Sequence, residues 1–348
     1  MEVLWLVIVV GMLVGYVVLD GFDFGVGVLY LLVARSEDER RTTLASIGPI
    51  WSGNEVWLIA SGGLLFFAFP RAYAAGFSGF YLALIIVLWL FILRGLALEL
   101  RSHMAHPIWT GFWDGGFAAA SGLLSIVFGA ALGNLIRGVP LDSTGYFFTA
   151  LWTDFTPGPE PGILDWYTVL VALTTTALLA LHGAYFLVMK TVGELALRSR
   201  RMATRCEWMT VPLFAITAVV TPWVQPVISE AFAARPTGLF FPASAVFALA
   251  GALWAHSRGR EVVAFACSSV TLISILASAA WGLFPNLLIS SGNPAHSLTI
   301  YNAAASPHGL SIGLGWFTLG IALVVAYSLF VHRLFWGKVE SRPVNGPY

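Results

Sequence analysis

Charge is what this chain has least of. Asp, Glu, Lys and Arg make up 10% of its 348 residues, against about a quarter of a soluble domain. The formal net charge is zero, so no basic surface points to nucleic acid as a partner. There are two cysteines, Cys206 and Cys267, without CxxC spacing, which excludes a thiol redox motif and leaves two apolar thiols. No phosphate-binding loop, nucleophile motif or dinucleotide fingerprint is present. The first apolar stretch lacks a basic leader and is preceded only by Glu2. It reads as a retained spanning helix, not a cleaved signal peptide.

What remains is oil. The chain is 58% apolar, and its mean hydropathy is +0.82. A bilayer core needs about 20 apolar residues per helix. Nine stretches qualify or nearly do: 3–34, 50–70, 76–100, 115–136, 167–189, 206–226, 238–255, 261–284 and 311–336. The expected fold is therefore an all-α integral membrane protein of nine transmembrane helices. We expect a single membrane domain over 1–348, with helices 1–4 and 5–8 as two bundles and helix 9 peripheral.

Positive charge sets the expected direction. The loops after spans one, three, five and seven, with the C-terminal tail, hold fourteen of the eighteen Lys and Arg residues. These are Arg35, Arg40, Arg41, Arg101, Lys190, Arg198, Arg200, Arg201, Arg205, Arg258, Arg260, Arg333, Lys338 and Arg342. The opposite side holds Arg71, Arg137 and Arg235, and Arg94 lies inside span three. By the positive-inside rule the N-terminus is outside and the C-terminus cytoplasmic.

The few charges within the apolar runs carry the functional signal. "LDGFDFGVG" (19–27) places Asp20 and Asp23 on one helical face, with Gly21, Gly25 and Gly27 allowing close approach. Counting helical rise from the cytoplasmic end puts these acids at roughly 22 and 18 Å, and Glu55 and Arg94 at roughly 9 Å. Glu99 and Asp114 border the headgroups. An intramembrane charge normally faces a partner, water or an ion pathway, and an acid without a full set of cations suits proton carriage. The same residues also fit an arrangement in which Arg94 neutralises one acid and the others cap or bend helices. They equally fit a proton-coupled secondary transporter. His182, the one histidine well inside a span, reads as an interhelical hydrogen-bonding group or a haem ligand. His103 and His106 have i, i+3 spacing but no further ligand nearby. Fourteen Trp and twenty-five Phe suit interfacial belts and packing.

Longer motifs narrow this. "LDGFDFGVG", "ERRTTLASIGPIWSGNEVWLIASGG", "FSGFYLALIIVLWLFILRGLALELR", "MKTVGELALRSR" and "SLTIYNAAASP" occur in this order. Together they resemble subunit II of cytochrome bd-type quinol oxidases over nearly the whole chain. The resemblance implies a heterodimer with a homologous subunit I in the bacterial or archaeal cytoplasmic membrane. That partner carries haem b and haem d, and this chain ligates neither haem nor any other metal. The complex oxidises quinol and reduces dioxygen to water. This chain then supplies the interface, a cytoplasmic proton path, and oxygen access near Trp57. Asp20, Asp23, Ser52, Glu55, Arg94, Glu99 and Asp114 are the candidates for that path or for a buried ion network. A structural quinone and a small accessory subunit are further partners the resemblance allows. One departure matters. The family's usual Trp-Asp-Gly-Asn is here Trp51-Ser52-Gly53-Asn54, and serine cannot carry a proton's charge near neutral pH. Glu55, one turn on, is the natural stand-in.

Overall fold

The computed structural model describes residues 1–339 and is built almost wholly of helices. Arg342 lies outside the described residues. Helices α1 (Glu2–Leu19) and α2 (Gly21–Val33) form one long span with an interruption at Asp20. Then come α3 (Glu37–Ile47), α4 (Trp51–Ala68), α5 (Pro70–Gly79) and α6 (Tyr81–Leu100). After them run α7 (Pro107–Arg137), α8 (Trp166–Lys190), α9 (Gly193–Val224) and α10 (Pro226–Ala234). The chain continues through α11 (Phe240–Ser257), α12 (Glu261–Leu283) and α13 (Pro307–Leu334). A short antiparallel pair, β1 (Asn286–Leu288) and β2 (Leu298–Thr299), lies between α12 and α13.

Among the described residues, eight helices are long and apolar enough to cross a membrane. The ninth expected stretch, 50–70, does form an 18-residue helix, α4. Its first turns carry Ser52, Asn54 and Glu55, so by composition it falls short of the other eight. The stretch expected at 206–226 is longer than hydropathy suggested. Helix α9 starts at Gly193 and carries its arginine-rich part as regular helix.

Local chemistry explains where these helices begin. At α3, the Ser36 hydroxyl accepts from the Glu39 amide at 3.2 Å while the Glu39 carboxylate accepts from the Ser36 amide at 3.1 Å, a reciprocal cap that satisfies two free donors. Asp165 and Thr168 do the same at α8. Proline opens α7 and α13, where its missing N–H costs nothing. At the end remote from α3, Arg137 ties α7 to the start of α8. It pairs with Asp165 and donates to Asn134 Oδ1 at 2.7 Å and to the Gly162 carbonyl at 3.0 Å.

The core is centred on α2 and α8, which are buried along most of their length. Two glycines set this contact. A Cβ on Gly25 would lie 1.9 Å from the Leu179 carbonyl oxygen, and one on Gly183 would lie 2.4 Å from the Gly25 carbonyl carbon. Backbone meets backbone there, as at small-residue contacts between membrane helices. Gly25→Ala or Gly183→Ala should therefore cut the yield of monodisperse, detergent-solubilised protein several-fold. Gly63→Ala, with nothing within 4 Å of the new methyl, should leave it unchanged. Equal yields from all three variants would show that α2 and α8 can separate without loss.

Candidate functional site: a buried arginine among three acids

The site starts from the interruption between α1 and α2. Two successive carbonyls at this point bond to side chains from other helices. His182 Nε2 donates to the Val18 carbonyl at 3.2 Å, and Asn54 Nδ2 donates to the Leu19 carbonyl at 3.0 Å. Unsatisfied backbone groups are costly in hydrocarbon, and neighbouring side chains answer them here. The break turns Asp20 and Asp23, both fully buried, toward α4 and α6.

Arg94 of α6 meets them there, also fully buried. Its Nη2 donates to Asp20 Oδ1 at 2.8 Å, and its Nη1 donates to Glu55 Oε1 at 2.8 Å. Asp23 Oδ2 lies 4.0 Å from Arg94 and accepts from Asn54 Nδ2 at 2.9 Å. The guanidinium also sits over the Phe24 ring, 4.5 Å from its centroid, a contact worth more when desolvated. Glu55 alone reaches the chain's surface, with its side chain 24% exposed. Four buried polar atoms around the cluster have no hydrogen-bond partner among the described residues: Tyr16 Oη, Asp23 Oδ1, Arg94 Nε and Trp57 Nε1.

Four of the seven ion-network residues expected from sequence thus converge: Asp20, Asp23, Glu55 and Arg94. The other three do not join them. Ser52 is exposed, and no hydrogen bond links it to Glu55 or Arg94. Glu99 is exposed, and its backbone carbonyl accepts from His103 Nδ1 at 3.0 Å. Asp114 is buried in a separate knot. It accepts from Tyr30 Oη and Arg101 Nε, both at 2.5 Å, and from Arg40 Nη1 at 2.9 Å. Arg101 also holds Glu37 with hydrogen bonds of 2.8 and 3.0 Å, which keep the Glu37 carboxyl below the usual carboxylate range. Trp57 is half-buried, packed against Gly15.

The depths counted from helical rise are overturned. Asp20 and Glu55 share one guanidinium, so they do not lie some 13 Å apart as rise alone implied. Rise omits side-chain reach, and it treated residues 37–50 as a loop. They form α3 and a turn that precede α4. Sequence reading also missed Asn54, Tyr30, Arg101 and Glu37. Asn54 is neutral, and the others sit where a charge or phenol at a membrane border looks ordinary. His182 has its second ring nitrogen engaged as well, with Nδ1 2.7 Å from the Ser268 hydroxyl. Its ring stacks on Phe265 at 4.7 Å between centroids. Among the described residues no three His, Cys, Asp or Glu side chains converge as a metal site would require.

Removing one partner of a buried pair costs about 3–5 kcal/mol, because the other charges are left uncompensated. Arg94→Leu should lower the thermal stability and assembly of the purified protein, and Arg94→Lys should recover only part of it. Wild-type melting behaviour in Arg94→Leu would show that the acids do not need this cation.

Comparison with known proteins agrees with this architecture. Residues 1–335 match the family described as cytochrome bd terminal oxidase subunit II. The chain is 31% identical to a probable cytochrome oxidase subunit 2 of Haemophilus influenzae, covering 98% of this chain and 96% of that one. It is 30% identical to the cytochrome bd-I ubiquinol oxidase subunit 2 of Escherichia coli, with the same coverage. It is likewise 30% identical to the cytochrome bd ubiquinol oxidase subunit 2 of Bacillus subtilis, covering 97% of each chain. A chain in the structure of bd oxidase from Geobacillus thermodenitrificans has the same fold. The TM-score is 0.76 at 16% identity, over 96% of this chain and 98% of that one. With its length, its helices and its motifs accounted for together, the chain belongs to the cytochrome bd terminal oxidase subunit II family.

Proposed function

We propose that this chain serves as subunit II of a quinol-oxidising, dioxygen-reducing terminal oxidase, and that its part in the reaction is to hold and pass protons through the Arg94 cluster. The observation that carries the second half is a charge count. Three carboxyl groups, Asp20, Asp23 and Glu55, surround one guanidinium. Two negative charges in excess cannot be left uncompensated in a low-dielectric interior. Protons are the simplest compensation, and a site that must hold protons can also exchange them. The unpartnered polar atoms of Tyr16, Asp23, Arg94 and Trp57 offer hydrogen bonds to waters that would link these groups.

The family places the haems in the oxidase complex. We assign haem b and haem d to a partner subunit I, because the one deep histidine of this chain does not fit a haem iron. Both nitrogens of His182 are already hydrogen-bonded. No redox step is therefore assigned to this chain. Its residues position and protonate. Quinol and dioxygen are substrates of the joint complex, with a structural quinone and a small accessory subunit as further partners. Assignment of Trp57 to oxygen access rests on its matching family position.

The membrane placement follows the same reading. Counting α4 as the ninth span, with the arginine-rich end in the cytoplasm, puts the N-terminus outside and leaves Glu55 facing the partner or the bilayer. We assign the first and second sets of four spans to two bundles within one domain. Helix α13 lies outside them, in keeping with its single buried residue, Leu310. A secondary transporter built on the same acids would work alone. Purification through a tag on this chain should instead bring down a haem-bearing subunit of similar size.

Glu55 is the candidate gate, since it is the one member of the cluster that reaches the surface. Glu55→Gln should keep the haem content of the complex and slow quinol-driven oxygen consumption several-fold. Adding Ser52→Asp should restore part of the rate, because it returns an acid to the family's position. Wild-type turnover of Glu55→Gln across neutral pH would mean that protons enter through the partner subunit.

A further inference from the structure

Beyond the oxidase reaction, the distribution of unpaired arginines points to a second kind of site. Among the described residues, Arg40, Arg41, Arg94, Arg101, Arg137 and Arg198 pair with carboxylates. Arg71, Arg200 and Arg235 donate to backbone carbonyls. Six have neither partner among the described residues, and four of these, Arg201, Arg205, Arg258 and Arg260, belong to α9 and the α11–α12 turn. All four are exposed.

These two elements are fastened together. Arg200 Nη2 donates to the His256 carbonyl at 2.7 Å, and the Thr204 hydroxyl lies 3.3 Å from His256 Nε2. The turn itself runs through Gly259 at φ +68, beside the Arg200 guanidinium. Arg201 and Arg205 lie one residue further round α9 from Arg200 and Thr204, about 100°. They therefore flank the seam on its outer side. Arg260 stacks over the Trp254 indole, 5.0 Å from its centroid, which holds its charge beside an apolar ring. Leu197, Trp208, Trp254 and Val262 are exposed around these arginines. The nearest acids do not cancel them. Glu207 accepts from Tyr185 Oη at 2.8 Å, and Glu261 takes Lys338 at 3.3 Å. Glu194 sits about two turns before Arg201.

We propose that this seam binds the headgroup of an anionic phospholipid, with Arg201, Arg258 and Arg260 on its phosphates and the acyl chains against Trp208 and Trp254. The charge excess selects an anion, and the exposed aromatic flank selects one that carries hydrocarbon. Clustered arginines near a membrane face act this way through attraction to phosphate, and guanidinium suits phosphate in particular.

The test uses the full chain with whatever subunits co-purify, delipidated and offered phosphatidylcholine nanodiscs with or without cardiolipin. Retained lipid is read by native mass spectrometry and stability by thermal melting. The wild type should retain cardiolipin over phosphatidylcholine and melt at a higher temperature with it. The variant carrying Arg201→Gln, Arg258→Gln and Arg260→Gln should bind cardiolipin at least about tenfold more weakly and lose that gain. Arg→Lys at the three positions should preserve most of the binding. Arg333→Gln, which removes an unpaired arginine elsewhere, should change nothing. If the triple variant fails to fold, Arg258→Gln and Arg260→Gln singly, both on an exposed turn, should each show a partial loss. Undiminished cardiolipin retention in the Gln variants overturns the proposal. So does an equal thermal gain from inorganic phosphate, which would make this a free-anion site. The readouts are lipid retention and melting, so the result stands apart from any oxidase assay.

Discussion

Arg94 is a fully buried cation on which three helices depend. A guanidinium at zero exposure is tolerable only when its charge is answered. Asp20 from the α1–α2 break, Glu55 from α4 and Phe24 from α2 answer it together. The break is part of the same solution. An unbroken helix through residue 20 would keep the Val18 and Leu19 carbonyls within its own ladder. Interrupted, it presents them to His182 and Asn54. Asn54 then spends its two donors on the Leu19 carbonyl and on Asp23. Asn54 and Glu55, two of the polar residues that make α4 less apolar than its neighbours, thus complete the site.

The tight contact of α2 with α8 gives this cluster its rigidity. Gly25 and Gly183 bring the two backbones together one turn beyond Asp20 and next to His182. The stack of Phe22 on Phe186 at 4.2 Å and of His182 on Phe265 at 4.7 Å fills the space on the far side. Both ring nitrogens of His182 are engaged within this packing, by the Val18 carbonyl and the Ser268 hydroxyl. Its role is to secure the helix break. The acids on the other face keep their geometry as a result.

Much of this was legible in the sequence, for physical reasons that differ by residue. Spans are easy to see because hydrocarbon demands length and apolarity. Asp20, Asp23, Glu55 and Arg94 stand out because charge in such runs is rare. Asp114 and Glu99 show the limit. Both lie near span ends, and only the fold of α3 decides that one is buried against Arg40 and Arg101 while the other faces outward. Ser52 marked a departure from the family motif, yet a helix turn separates its exposed position from the inward reach of Glu55. Depth was the poorest inference, because it assumed straight helices from a common plane and ignored the length of an arginine side chain. Asn54 stood out only as part of a motif, with no role attached to it. A neutral amide becomes informative only when the carbonyl it serves is known to be free.

The two charged knots differ in how their charges balance. Around Asp114, two acids, Asp114 and Glu37, meet three arginines: Arg40, Arg41 and Arg101. Negative charge there is fully met by cations, at a border where Glu37, Arg40 and Arg41 are at least partly exposed. Such a knot has no need of protons, and its natural role is to fasten α3 across α2, α6 and α7. Around Arg94 the ratio is reversed, three acids to one arginine, and Asp20, Asp23 and Arg94 are fully buried. The deficit of cations has to be made good by something small that can enter a packed interior. Similar side chains therefore make a fixed clasp in one knot. In the other they leave acid in excess over cation, and a change of stoichiometry is enough to distinguish the two.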